Sequence, residues 1–363
     1  MRLLICAGGT GGGVYPALAV FQALYHKQPD VELLWVGGEN GMEEELVKRA
    51  GLPYASIPAA GLHGIGLRAL PRNVAKLTRG LLASRKILRD FQPNVLFFTG
   101  GYVAGPMALA GRRVPTLLYV PDIEPGLALK SLARFADRIA VSAEDSQKYF
   151  SQKVFVTGYP VRLDIKAWTK KTGRQALNLD DNIPVLLVVG GSKGARTINQ
   201  ALLPQLPALL DMAHIIHITG QLDWEAVETA TARLTPSQKK RYHAYPYLHE
   251  QMGAALACAD LVVARAGAST LGEFPFFGLP AVLVPYPYAW RYQKVNADYL
   301  TQRGAAMLLQ DERLQTELLP IIEDLLNNPS RRQAMSIAMK SLVQPQAAEA
   351  IAGQLLDLGG QRQ

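Results

Sequence analysis

The sequence predicts an α/β protein made of two parallel-sheet domains, and three observations carry that expectation. Short apolar runs bounded by glycine, proline or polar residues alternate with segments of helical spacing, the pattern of parallel strands covered by helices. The alternation restarts near residue 184, so two series open alike on a strand, a glycine-rich turn and a helix. The 363 residues amount to about two domains, and with 49% apolar and 19% charged residues each half can fill a core of its own. The expected architecture is two Rossmann-like domains of similar size facing each other across a cleft.

The runs at 3–7 (LLICA), 32–37 (ELLWVG), 95–100 (VLFFTG), 115–120 (PTLLYV) and 138–142 (RIAVS) read as buried strands of the first domain, being brief and unalternating. ALAVFQALYHK and EEELVKRA between them carry helical spacing. The second series is PVLLVVGG (184–191), HIIHITG (214–220), ADLVVAR (259–265) and PAVLVPYP (280–287). The polar stretch from about Gly158 to Pro184, including KAWTKKTGRQ, reads as an irregular linker. The expected division is 1–160, 161–340 and a C-terminal helix within 341–363 that packs back on the first domain.

Thirty-eight Lys and Arg against 30 Asp and Glu give a charge of +8, which favours phosphates, nucleic acid or an acidic membrane surface as company. Cys6 and Cys258 are far apart without zinc-like spacing and read as small core residues of a reducing compartment. Five apolar residues before the first glycines leave no room for a signal-peptide core. No run approaches the ~18 apolar residues of a membrane span, so the expected setting is cytoplasmic.

Three turns carry chemistry. In AGGTGGGVYPALAV (7–20) the glycines let backbone approach an anion at a helix N-terminus, or serve only tight strand–helix packing. A dinucleotide fingerprint would need an acid closing the second strand, and Glu39 in WVGGEN comes several residues late. GGSKGA (190–195) repeats the geometry without P-loop spacing; Ser192 reads as a phosphate contact or a plain helix cap. In ARAGASTLGEFPFFGLPAVLVPYP (264–287) a strand ends at Arg265, a helix starts near Thr270, and Glu273 either complements the helix dipole or accepts both hydroxyls of a ribose.

GGTGG followed by a Pro-Ala-Leu-Ala helix, GGYVAGP (100–106), GYPVR (158–162), GGSKGA, and the 264–287 segment with later Gln293 and Asn296 closely resemble the MurG family along nearly the whole chain. The resemblance implies a GT-B fold and transfer of N-acetylglucosamine from UDP-N-acetylglucosamine to lipid-linked muramyl-pentapeptide, lipid I to lipid II, in peptidoglycan synthesis. It implies a ribose held by Glu273, a diphosphate met by Ser192 and Arg162, uracil and sugar against Ala268, Ser269 and Thr270, and a sugar contact from Gln293. Thr10, Gly11 and Gly12 match the loop that approaches the diphosphate from the other domain. No metal or cofactor is implied, since helix N-termini and an arginine offset the charge of leaving UDP.

The departures fall on the acceptor side. The family's GGTGGH ends here in Gly13, and its HEQN motif is replaced by Tyr119, Val120, Pro121 and Asp122. Tyr292 stands where a polar His or Gln is usual. Inverting displacement needs a group to take the proton of the attacking hydroxyl. Asp122 and Glu124 are the nearest substitutes for the histidine and His63 a more distant one, while Asp122 also reads as an N-cap aspartate with Pro125 in the first turn.

Residues 70–91 form a basic amphipathic helix, with Arg72, Lys76, Arg79, Arg85, Lys86 and Arg89 against the single Asp90 and Leu77, Leu81, Leu82, Ile87 and Leu88 on helical spacing. It reads as a surface helix or as a docking face for anionic lipid at the cytoplasmic face of the cell membrane. Nucleic acid is the poorer explanation of the charge, because no base-reading pattern accompanies it. Rival readings are a related GT-B transferase with another lipid acceptor, a UDP-N-acetylglucosamine 2-epimerase and a silent sugar-nucleotide sensor.

Overall fold

The computed structural model describes residues 1–8, 11–59, 70–152, 154–180, 182–191, 194–288 and 292–360. The chain forms two compact units, Met1–Arg162 with Pro345–Gln363, and Leu163–Gln344.

The first unit contains a seven-stranded sheet in which every pairing is parallel. Its strands are β1 (Arg2–Cys6), β2 (Glu32–Gly38), β3 (Tyr54–Ile57), β4 (Val95–Phe98), β5 (Thr116–Val120), β6 (Arg138–Val141) and β7 (Val154–Val156), in the order 3-2-1-4-5-6-7. Helices α1 (Gly11–Lys27), α2 (Glu43–Arg49), α3 (Leu70–Phe91), α4 (Ala104–Ala110) and α5 (Leu127–Leu132) follow successive strands. One face of the sheet buries Leu3, Ile5, Phe97 and Tyr119 against α1, and the other buries Leu4, Leu96 and Phe98 against α4 and α5. The C-terminal helix Ala347–Gly360 adds Ile351, Ala352, Leu355 and Leu358 to the first of these cores. Arg138 on β6 fastens that helix through Gln354 Oε1 at 2.6 Å.

The second unit has six strands, again all parallel: β8 (Val185–Val189), β9 (His214–Ile218), β10 (Tyr242–Tyr245), β11 (Leu261–Ala264), β12 (Ala281–Leu283) and β13 (Ala306–Leu308), in the order 10-9-8-11-12-13. In both sheets the order reverses beside the first strand. The carboxyl ends of β1 and β4, and of β8 and β11, therefore frame crevices where open parallel sheets bind ligands.

The expected irregular linker is ordered. It contains α6 (Leu163–Lys166) and α7 (Lys170–Ala176), the latter opened by a capping box in which Thr169 and Thr172 bond each other's backbone. Its polar composition conceals a buried side made of Ile165, Gly173, Arg174 and Leu177. Arg174 is buried because its guanidinium meets the carbonyls of Asp180 and Ile183 and the carboxylate of Asp260. Gly173 packs on the backbone of Ala254, where a β-carbon would come within 2.5 Å of the carbonyl oxygen.

Candidate active site

In the N-terminal unit the candidate site lies where three glycine turns meet, after β1, β2 and β4. The first turn of α1 is Gly11, Gly12 and Gly13, with no acidic residue, so its backbone N–H groups and positive dipole end are unopposed from within the helix. Thr99, just after β4, donates its hydroxyl to Gly13 O at 2.6 Å and ties the turn to the sheet. Gly101 has φ +82°, and a β-carbon there would lie 3.0 Å from Gly8 O, so glycine is required on both counts.

Arg162 is the last residue of this unit before the chain enters the second. Its guanidinium lies over the Tyr15 ring, 4.3 Å from the centroid, which brings its charge to the opening turns of α1. Thr10 lies outside the described residues. Asp122 follows β5 and is half-buried. It is not a helix cap, because α5 begins at Leu127 with Gly126 in the cap position. Glu124 is buried, with Lys130 Nζ 3.6 Å from its carboxylate. Tyr119 points into the core, where its hydroxyl bonds Ser142 Oγ at 2.8 Å and donates to Gly158 O at 3.1 Å. Burial pushes that phenol well above its ordinary pKa. His63 lies outside the described residues.

In the C-terminal unit the β8–α8 turn leads into α8 (Arg196–Leu202), with Ala195 in the cap position. Ser192 and Lys193 lie outside the described residues. Gly194 has φ +77°, and a β-carbon on it would come within 2.3 Å of Thr219 O, so the turn closes tightly on the end of β9. The third turn runs from Gly267 through a 3-10 turn, Ala268–Leu271, to the short helix Glu273–Phe277. Thr270 bonds Gly267 O at 2.7 Å, and the fully buried Asn296 donates to Ala266 O at 3.1 Å. Glu273 opens that helix and is 9% exposed. Gln293 Oε1 accepts the N–H of Tyr286 at 2.9 Å, which leaves its NH2 as the group able to donate to a ligand. Ala268, Ser269, Thr270, Glu273 and Gln293 thus belong to elements at the carboxyl ends of β11 and β12 in one unit.

Two networks beneath these turns escaped the sequence reading. Arg265 looks like a phosphate ligand, yet its guanidinium is spent inside the fold on Asp311 Oδ1 at 2.5 Å, Thr197 Oγ1 at 2.7 Å and Val284 O at 3.1 Å. It locks the start of α8 to the ends of β11 and β12. The buried His217 bonds Tyr242 OH at 2.8 Å and Asn199 Oδ1 at 2.9 Å, and Asn199 passes its NH2 to Thr219 O and Asp223. The Asn199 carbonyl requires Nε2 of His217 to donate, so Nδ1 accepts from Tyr242. Burial holds this imidazole neutral, its pKa pulled down to about 3 against the weaker pull of Asp223. A histidine and an asparagine within apolar runs were the only sequence signals.

Among the described residues no cluster of three or more His, Cys, Asp or Glu is placed to hold a metal, and no helix is long and apolar enough to cross a membrane.

Residues 3–141 match the glycosyltransferase family 28 N-terminal domain and residues 185–351 its C-terminal domain. A protein of Roseiflexus sp. (strain RS-1), named UDP-N-acetylglucosamine–N-acetylmuramyl-(pentapeptide) pyrophosphoryl-undecaprenol N-acetylglucosamine transferase, is 39% identical over 97% of this chain and 94% of its own. The chain belongs to the MurG family. A relative of the same name from Desulforudis audaxviator (strain MP104C) is also 39% identical, covering 99% of both chains. The solved MurG of Acinetobacter baumannii is 27% identical with a TM-score of 0.75, over 98% of this chain and 99% of that one. A UDP-N-acetylglucosamine 2-epimerase from Neisseria meningitidis shares the fold at 15% identity and a TM-score of 0.66, covering 98% of this chain and all of that one. The two parallel-sheet domains are those of a GT-B glycosyltransferase, and the chain is a hexosyltransferase of that MurG type. At Gly13, matched by resemblance to the family's histidine, a β-carbon would meet nothing closer among the described residues than Thr99 O at 3.5 Å.

Proposed function

We propose that the protein moves N-acetylglucosamine from UDP-N-acetylglucosamine, with inversion, to undecaprenyl-pyrophosphoryl-muramyl-pentapeptide, making lipid II from lipid I. The observation that carries this reading is the 39% identity, over nearly the full length, to transferases of that name, with the donor-side turn built around a buried Glu273. Glu273 accepts the two ribose hydroxyls, and the turn of Ala268, Ser269 and Thr270 lies against uracil and sugar. The NH2 of Gln293 donates to a sugar hydroxyl. Ser192, Arg162 and the backbone of Thr10, Gly11 and Gly12 meet the diphosphate, so that positive charge and N–H dipoles offset what develops on UDP as it leaves.

The acceptor hydroxyl attacks the anomeric carbon from the face opposite UDP. Its oxygen forms the new glycosidic bond, UDP departs with the electrons of the old one, and the hydroxyl proton passes to a base. Asp122 is that base in our reading, because its half-buried carboxylate is more accessible than the buried Glu124 beside Lys130.

The lipid-linked acceptor brings the protein to the cytoplasmic face of the cell membrane, and α3 is the docking element. Arg79, Arg85, Lys86 and Arg89 are exposed on it, together with Val74 and Leu82, which are 49% and 59% exposed. Exposed apolar side chains among cations suit an anionic lipid surface. The test is radiolabelled UDP-N-acetylglucosamine with and without a lipid I analogue. Label moves to lipid only when the acceptor is present; turnover of the donor alone would favour epimerase chemistry and defeat this reading.

A further inference from the structure

Glu43 opens α2, is 1% exposed, and accepts the N–H of Gly38 on Oε1 at 2.8 Å. Glycines crowd it from two loops and from the end of β2. A β-carbon on Gly8 would come within 2.4 Å of the carboxylate and one on Gly41 within 2.2 Å, while one on Gly37 would come within 2.3 Å of the Tyr54 hydroxyl and 2.8 Å of the Glu43 Cγ. None of these three has φ in the left-handed region. Gly8 and Gly41 therefore meet no backbone demand and make room for one carboxyl group, while Gly37 makes room for the Tyr54 hydroxyl as well as for the Glu43 stem.

Gly8 is where the chain leaves β1 for the turn into α1. Glu43 sits against it on one side, and the Gly101 turn approaches its carbonyl on the other. The side chain cannot be exchanged freely for an apolar one, since that would strip the Gly38 N–H of its buried acceptor. Its charge is offset by the N-terminal end of α2, and it contributes, after burial, to pushing up the Cys6 thiol and Tyr54 phenol.

We propose that Glu43 is a positioning residue for transfer: its carboxylate, wedged between Gly8 and Gly41, sets where the chain stands at Gly8 after β1, and so where the N–H groups of Gly11, Gly12 and Gly13 meet an anionic ligand. The ligand's identity as the substrate diphosphate rests on the function proposed above. A loop displaced by about 1 Å costs on the order of 10²-fold in rate.

The experiment compares wild type with Glu43→Ala, Glu43→Asp, Glu43→Gln and Gly41→Ala. It follows steady-state transfer to a lipid I analogue, uridine affinity and circular dichroism. Glu43→Gln keeps length and acceptor and is expected to stay within about threefold of wild-type kcat, while Glu43→Ala and Glu43→Asp fall about 10²-fold. Gly41→Ala is expected to match Glu43→Ala by displacing the carboxylate. Uridine affinity is expected to stay within about twofold throughout, because Glu43 belongs to the other unit from Glu273. A folded Glu43→Ala with unchanged kcat and KM overturns the proposal, as does a Glu43→Gln as impaired as Glu43→Ala. Should Glu43→Ala not fold, Glu43→Asp and Gly41→Ala decide on the same criteria. An inactive wild type would count against the proposed function, whereas an active wild type beside unaffected variants counts against Glu43 alone.

Discussion

His214, the first residue of β9, offers a test of the C-terminal domain's electrostatics. It is 2% exposed, and neither ring nitrogen has a hydrogen-bond partner among the described residues. The groups around it are His243 with rings 5.6 Å apart, Asp180 with its carboxylate 3.8 Å from Nε2, and the cations Arg174 and Arg241. Burial first, then the His243 and arginine charges against the pull of Asp180, lower its pKa to about 4. The unfolded chain protonates near 6.5, so the unfolded state binds more protons between 6.5 and 4, and stability falls as pH drops through that window. At pH 5 the loss is about 2 kcal/mol, set almost wholly by the unfolded value because the folded imidazole is still neutral. His214→Leu removes this loss along with two unsatisfied buried nitrogens. At pH 7 it is expected to be neutral or to stabilise by about 1 kcal/mol. Urea unfolding at both pH values, followed by circular dichroism, should show the variant's advantage growing by about 2 kcal/mol at pH 5, with His217 and His243 common to both proteins. An advantage that does not grow would refute the reasoning.

Glu273→Ala should weaken UDP binding by about 2–3 kcal/mol, since two ribose hydroxyls lose a charged acceptor; equilibrium dialysis showing wild-type affinity would remove Glu273 from the donor site. Arg162→Ala and Ser192→Ala should weaken UDP while sparing uridine, and equal losses for both ligands would contradict a diphosphate role. Wild-type protein should sediment with anionic vesicles at low salt and release as salt rises, and replacing Arg79, Arg85 and Lys86 by Glu should abolish this; indifference of wild type to such vesicles would end the docking reading. Asp122→Asn should keep donor affinity while kcat falls about 10²- to 10⁴-fold, and a fully active variant would pass the role to Glu124 or His63.

How far the sequence could be read follows from where each strand lies. The nine strands recognised from apolar runs are the interior ones, buried on both faces. The four that were missed, β3, β7, β10 and β13, are the edges of the two sheets. An edge strand is short and partly solvated, so YASI, VFV, YHAY and AML lack the continuous apolar character that marks a central parallel strand. The 158–184 segment failed for a related reason, its one buried cation disguising a packed surface. In the candidate site, the glycine turns were legible because glycine spacing is local. The Arg265–Asp311 clamp and the seat of Glu43 were not, since each joins residues from separate loops and its meaning exists only once the strands are paired.

The acceptor-side departures make physical sense together. Gly13, matched by resemblance to the family's histidine, has ordinary contact distances around a β-carbon among the described residues. Tyr119, at the first position of the altered HEQN motif, turns into the core and spends its hydroxyl on Ser142 and Gly158. Val120 and Pro121, the next two, are buried as well. Of the side chains that replace the family's polar set, Asp122 alone combines a carboxylate with partial exposure, and Glu124 two residues on is held against Lys130. In the reading proposed here, the base is then a carboxylate in place of an imidazole. An ordinary aspartate ionises about 2.6 pKa units below an ordinary imidazole, so such a carboxylate is the weaker base but stays deprotonated well below neutral pH. If Asp122 takes the proton, transfer should persist at pH 5.5 where a histidine-dependent relative has lost most of its base. Restoring His at position 13 in the Asp122→Asn background should bring back activity with a limb near the ordinary imidazole pKa of about 6.5. Rescue without that shift in pH profile would mean that position 13 shapes the loop and does not carry the proton.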